Sequence, residues 1–137
     1  DPDREYFVFE FWSKKLLGCF KGGFPAGGLD PVFRSQDFVI RERAPHPQIL
    51  ATSRHVTGGG IDLMDVRWED DVLSGKSRVT AADPYVLYLT VPEGYKPASI
   101  ECDGATVLAT RRDGLVVAVT LQTDHSRDIM WTVRFAR

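Results

Sequence analysis

Residues 98 to 122, ASIECDGATVLATRRDGLVVAVTLQ, decide the fold class. Three runs rich in branched residues are separated by Asp103-Gly104 and Asp113-Gly114, dipeptides that accept the positive φ of a tight reversal. Their spacing predicts successive hairpins. Upstream, DPYVLYLTVPEGYKP is a strand stopped by Pro92, because proline offers no N–H to a ladder. Downstream, DIMWTVRFAR alternates: Ile129, Trp131, Val133 and Phe135 point one way, Met130, Thr132 and Arg134 the other. GIDLMDVRWEDDVLSGKSRVT predicts two more strands around an acidic turn at Glu69 to Asp71. In the first of them Asp62, Met64, Val66 and Trp68 are expected on one face, and Ile61, Leu63, Asp65 and Arg67 on the other. DFVIRER at 37 to 43 is a strand closed by the prolines of APHPQIL. REYFVFEFW at 4 to 12 is a strand with Phe7, Phe9 and Phe11 on one face and Tyr6, Val8, Glu10 and Trp12 on the other. No window sustains a helical period. Nine or ten short strands with regular turns predict an all-β, antiparallel β-sandwich, jelly-roll or Greek-key in connection.

The 137 residues suit one domain, residues 1 to 137, with room for a proper core but not for two. A net charge of -2 gives no electrostatic reason to expect nucleic acid or an anionic membrane as partner. No apolar run reaches the roughly 18 residues of a membrane helix, and no signal peptide opens the chain. The start at DPDREY, without methionine, predicts a processed or excised piece. The two cysteines, Cys19 and Cys102, lack zinc spacing and are too few for a disulfide scaffold. Free, buried thiols are the favoured state, with a single bridge as the alternative. KGGFPAGG is breaker-rich and predicts a surface loop.

The stretch 51-ATSRHVTGGGIDL-63 has the composition of an active-site loop. A phosphate cradle needs spaced glycines between a strand and a helix, whereas Gly58 to Gly60 are contiguous and a strand pattern follows. Ser53 and His55 lack a nucleophile elbow, and His46, His55 and His125 are too scattered for a metal site. The favoured reading is a corner: Arg54 and His55 bond carbonyls freed at a strand end, and the glycines supply positive φ. Contact with sugar hydroxyls through Arg54, His55 and Asp62 is the functional alternative.

Glycosidase chemistry needs two carboxylates facing each other across a bond. Asp62 and Asp65 are expected on opposite faces, and Glu69, Asp70 and Asp71 crowd a turn that reads as solvated, with a structural calcium ion as the alternative. No metal ligand set and no cofactor motif is identified. Among the aromatics, Trp68 and Trp131 are expected in the core. Tyr95, in the PEGYKP turn, is the ring expected to be exposed. Tyr6, Val8 and Trp12 form an apolar second face that needs a cover.

Taken in order, REYFVFEFWSKKLLG, PQILATSRHVTGGGIDLMDVRW, LSGKSRV and DPYVLYLTVPEGY resemble the C-terminal β-sandwich domain of α-galactosidase-like (melibiase-type) glycoside hydrolases. The similarity runs from about Glu5 to Phe135. It implies that catalysis belongs to a (β/α)8 barrel absent from this chain, so no catalytic residue is carried over. The chain is then expected to be a non-catalytic accessory module of a carbohydrate-active enzyme, acting outside the cell or in the periplasm. Its expected partners are a polysaccharide or oligosaccharide, bound through Tyr95, Trp12, Arg54, His55 and Asp62, and the catalytic barrel, faced by Tyr6, Val8 and Trp12. The alternative is a purely structural domain that packs on the barrel and binds no sugar. A small stand-alone hydrolase is the least favoured reading.

Overall fold

The structure, a computed structural model, describes residues 1 to 137 except Asp30, Phe33, His55 and Val56. The described residues form no helix, and eleven strands make three antiparallel sheets, one strand more than the nine or ten expected. The backbone gathers into two compact units, residues 1–44 and 45–137.

The first unit is a three-stranded sheet of β1 (Glu5–Glu10), β2 (Lys15–Lys21) and β3 (Phe38–Glu42), in the order β2-β1-β3. The near-continuous apolar run of β1 suits the central position: Phe7, Val8 and Phe9 are all buried, so both faces of the strand are covered. Glu10 ends β1 and is buried, yet it has a local task. Its carboxylate accepts the N–H groups of Trp12 at 3.1 Å and Ser13 at 2.6 Å, which shapes the four-residue reversal into β2. Burial alone would push the Glu10 carboxyl up; the bonds from Ser13, Trp12 and Asp37 outweigh it and hold the group below its usual value.

The second unit is a two-sheet sandwich. Its strands are β4 (Gln48–Thr52), β5 (Leu63–Glu69), β6 (Val72–Val79), β7 (Tyr85–Thr90), β8 (Lys96–Asp103), β9 (Thr106–Asp113), β10 (Val116–Gln122) and β11 (Arg127–Ala136). One sheet runs β4-β7-β10-β9 and the other β5-β6-β11-β8. Only β5–β6 and β9–β10 are hairpins; the remaining connections change sheet, which is jelly-roll-like connectivity. Leu87, Leu89, Val117, Val119 and Leu121 from one sheet meet Leu73, Ile129, Trp131, Val133 and Phe135 from the other in a single core. Alternation along β10 and β11 follows the pattern read from the sequence.

Three sequence expectations need correction. Asp103-Gly104 is not a hairpin turn. Strand β8 pairs with β11 and β9 with β10, so Gly104, at φ +87°, turns the chain between sheets. A positive-φ dipeptide specifies a reversal; it does not specify which strand the chain meets next. In β5 the alternation breaks, because a bulge between Met64 and Arg67, with Asp65 at φ +53°, shifts the register. Leu63 and Trp68 therefore both pack on the core, while Val66 is exposed. The thiols are free as expected, but Cys19 is exposed, because β2 is an edge strand whose side chains are only partly covered. Cys102 is half-buried, and burial pushes its thiol up.

The acidic turn forms where the sequence placed it. Glu69 pairs with Val72, so Asp70 and Asp71 are the two loop residues, both with positive φ, as a tight hairpin turn requires. The Asp71 carboxylate is taken by the Arg137 guanidinium at 3.0 Å.

Gly75 in β6 lies opposite Trp131 in β11, and a Cβ there would stand 2.6 Å from Trp131 Cζ2. The indole occupies the space a side chain would need. Gly75→Ala is therefore expected to destabilise the sandwich by roughly 1–3 kcal/mol, read as a lower denaturant midpoint with an unchanged slope. A neutral or stabilising result would contradict this packing.

Candidate functional site

The corner at 52–62 is built around a buried acid. Asp62 Oδ2 accepts hydrogen bonds from the hydroxyls of Thr52 and Tyr85, each at 2.7 Å, and Oδ1 accepts one from Thr57, also at 2.7 Å. Thr52 and Tyr85 are fully buried, and Asp62 is 7% exposed. Glycines do the turning: Gly58 and Gly59 have φ of +52° and +100°, and the Gly58 N–H bonds the Arg54 carbonyl at 2.8 Å. Behind Tyr85 the polar chain continues. Trp131 Nε1–H donates to Ser77 Oγ at 2.9 Å, and Ser77 in turn touches the Tyr85 hydroxyl. The network thus joins a strand of each sheet to the corner.

Electrostatics follow from this wiring. Burial is the largest influence on Asp62 and would push its carboxyl up. The hydroxyls of Tyr85, Thr52 and Thr57 together outweigh it and hold the group below the usual aspartate value. Burial, reinforced by the charge of Asp62, pushes the Tyr85 phenol far up, so it stays a donor. An acid held ionised by its own fold, with both oxygens engaged, is the opposite of a protonated general acid.

Arg54 serves the same corner. Its N–H reaches Thr52 Oγ1 at 3.3 Å, its guanidinium pairs with the Asp83 carboxylate, and it lies 5.4 Å from the Tyr85 ring centroid. His55 lies outside the described residues. Tyr95, expected to be exposed, is half-buried. Its ring meets Trp68 edge-on at 5.7 Å and Phe135 at 6.4 Å, with the Arg137 guanidinium 5.2 Å from its centroid. His46 stacks on Trp68 at 4.8 Å with the planes 2° apart. A turn tyrosine reads as exposed until the tertiary partners that cover it are known. Trp12 belongs to the first unit, half-buried and edge-on to Phe11 at 5.1 Å. Among the described residues of the second unit proposed for sugar contact, Arg54 and Asp62 share the corner and Tyr95 does not; both corner residues are engaged in holding it.

Two concave surfaces emerge that motif reading passed over. In the first unit, Tyr6 and Val8 line an apolar cleft of about 480 Å³ with Phe20, Phe24 and Ile40. Cross-strand pairing puts them there: Tyr6 lies opposite Phe20, and Val8 opposite Ile40. Phe24, from the glycine-rich loop, meets Phe20 at 5.8 Å and Phe38 at 5.1 Å. The sequence signal was the apolar second face of β1; the lid residue was hidden inside a stretch read as a featureless loop.

In the second unit, a polar groove of about 280 Å³ is lined by Gly104, Ala105, Thr106, Gln122, Thr123, Asp124, His125 and Arg127. The β9–β10 pairing sets Gln122 opposite Thr106, and the inter-sheet crossing at Gly104 adds the corner that meets Arg127. Among the described residues no three His, Cys, Asp or Glu side chains are grouped so as to hold a metal ion, at the acidic turn or elsewhere.

Because the folded Asp62 carboxyl lies below its unfolded value, the network's stabilisation is present above about pH 4 and is lost as pH falls through the folded value. Asp62→Asn is expected to flatten this acid limb of the stability curve. Tyr85→Phe is expected to cost about 1–3 kcal/mol in denaturant melts at neutral pH, by leaving a buried carboxylate short of a donor. An acid limb unchanged in Asp62→Asn would contradict the assignment. No protein-family model matches the chain, and no curated protein matches it in sequence.

Proposed function

We propose that the chain is a non-catalytic accessory module of a glycoside hydrolase, and that its three-stranded unit docks on the catalytic barrel of that enzyme. The observation that carries this reading is the cleft of Tyr6, Phe20, Phe24 and Ile40 over the buried Val8. Sugar sites combine an aromatic platform with a dense set of hydrogen-bonding side chains at the rim of the ring. This cleft has the rings, but its floor is aliphatic and aromatic, which suits an apolar protein surface better. Ile40 stands 53% exposed at its edge, where it continues the apolar lining outward. The resemblance of the chain to the C-terminal domain of α-galactosidase-like enzymes supplies the partner.

The non-catalytic part of the reading draws on two buried acids among the described residues. Glu10 holds a hairpin and Asp62 a corner; both carboxyls are pushed below their usual values, and both are occupied by N–H or O–H donors of the fold. Neither lines the cleft or the groove.

The test is association with the separately purified barrel of the parent enzyme. Co-elution on gel filtration is expected, and Ile40→Asp should weaken it at least about tenfold by burying an unpaired charge. Because Ile40 is exposed, that variant should melt close to the parent chain. A parent gene without a barrel, or association unchanged by Ile40→Asp, would overturn the reading.

A further inference from the structure

We propose that the polar groove between Gly104 and Arg127 binds an acidic saccharide, with the Arg127 guanidinium on the sugar carboxylate and neighbouring side chains on its hydroxyls. The choice of a saccharide rests on the carbohydrate-active context proposed above; the preference for a carboxylate rests on the groove itself. Arg127 opens β11, the strand that pairs with β6 and β8, so its backbone is fixed by the sheet. Its guanidinium lies against Gly104: a Cβ at that position would stand 3.2 Å from Nε and 3.3 Å from Cζ of Arg127. A side chain at residue 104 would crowd this guanidinium. No carboxylate among the described residues pairs with this guanidinium, which leaves it open to a ligand in the groove. A guanidinium is the side chain best suited to two parallel bonds to a carboxylate.

The rest of the lining explains why the ligand should carry hydroxyls too. Gln122 offers an amide donor and acceptor, Thr106 a hydroxyl, and His125 a ring nitrogen, while Asp124 is an acceptor only. A simple phosphate or sulfate could take the donors of Arg127, Gln122 and Thr106 but would leave the acceptor Asp124 without a hydroxyl to bind. A uronate unit has one carboxylate and several hydroxyls, which uses donors and acceptors together. The loop that carries Asp124 and His125 is braced independently. The Thr123 hydroxyl donates to the His125 carbonyl at 3.1 Å, and Thr123 is buried. The Ser126 hydroxyl accepts the Ala81 N–H at 3.0 Å. About 280 Å³ of groove suits one sugar ring with its neighbours extending into solvent.

The test is an amide NMR titration of the whole chain with a galacturonate trisaccharide, the neutral galactose trisaccharide and acetate. Saturable shifts centred on Gly104, Thr106, Gln122 and Arg127 are expected with the galacturonate trisaccharide. The neutral trisaccharide and acetate should each bind at least about tenfold more weakly, since each lacks half of the contacts. Arg127→Ala should remove the binding, and Arg127→Lys, which keeps the charge without the fork, should restore part of it. Shift dispersion reports whether each variant is folded. Equal binding of the neutral sugar removes the role of Arg127, and equal binding of acetate leaves an anion site without sugar recognition. Shifts that fail to saturate, that lie elsewhere, or that survive Arg127→Ala also overturn the proposal. None of these outcomes bears on docking to a barrel, which Ile40→Asp tests separately.

Discussion

The sandwich depends on how it holds one buried negative charge. A carboxylate taken out of water is costly unless both of its oxygens find donors. Asp62 meets that condition with three hydroxyls from different parts of the chain: Thr52 at the end of β4, Thr57 in the glycine-rich corner and Tyr85 at the start of β7. Ser77 and Trp131 extend the same wiring into the second sheet. Apolar packing supplies most of the stabilisation in such a core but has little direction. The Asp62 network adds direction, because its bonds are satisfied only when β4, β7 and the corner sit in one relative arrangement.

That constraint changes the meaning of the segment with the most functional-looking composition. Arginine, histidine, threonine, three glycines and an aspartate suggest an active site. In the fold their described members serve each other: the glycines reverse the chain, Arg54 pairs with Asp83, and Asp62 faces inward. Surfaces able to meet a partner lie elsewhere, in an apolar cleft of the three-stranded unit and a polar groove at the Gly104 corner. The two differ in chemistry as a protein interface and a saccharide site would. The accessory-module role proposed above has use for both.

Much of the fold was legible because its rules are local. Period-two alternation located β10 and β11, and the acidic pair Asp70-Asp71 marked its own turn. The contrast between Trp131, buried in the core, and Trp68, half-buried at its rim, was not legible. It depends on a bulge at Asp65, one residue of slippage that reverses the facing of everything after it. The partner of a strand is equally non-local, which is why Asp103-Gly104 read as a hairpin and is a crossing between sheets. Of the candidate site residues, Tyr6 and Val8 could be named in advance, since β1 is apolar on both faces. Arg127 could not, because nothing in its own segment says that Gly104 lies beside it.

The central claim is that the acid in the catalytic-looking loop is structural. Its most direct test is a titration of the Asp62 carboxyl carbon by NMR, with Asp62→Asn to assign the resonance. The account predicts an ionised carboxyl whose pKa lies below that of an ordinary aspartate, together with a slowly exchanging Tyr85 hydroxyl proton. A pKa raised toward neutrality, with a freely exchanging Tyr85 hydroxyl, would contradict it and return the corner to the list of candidate catalytic sites.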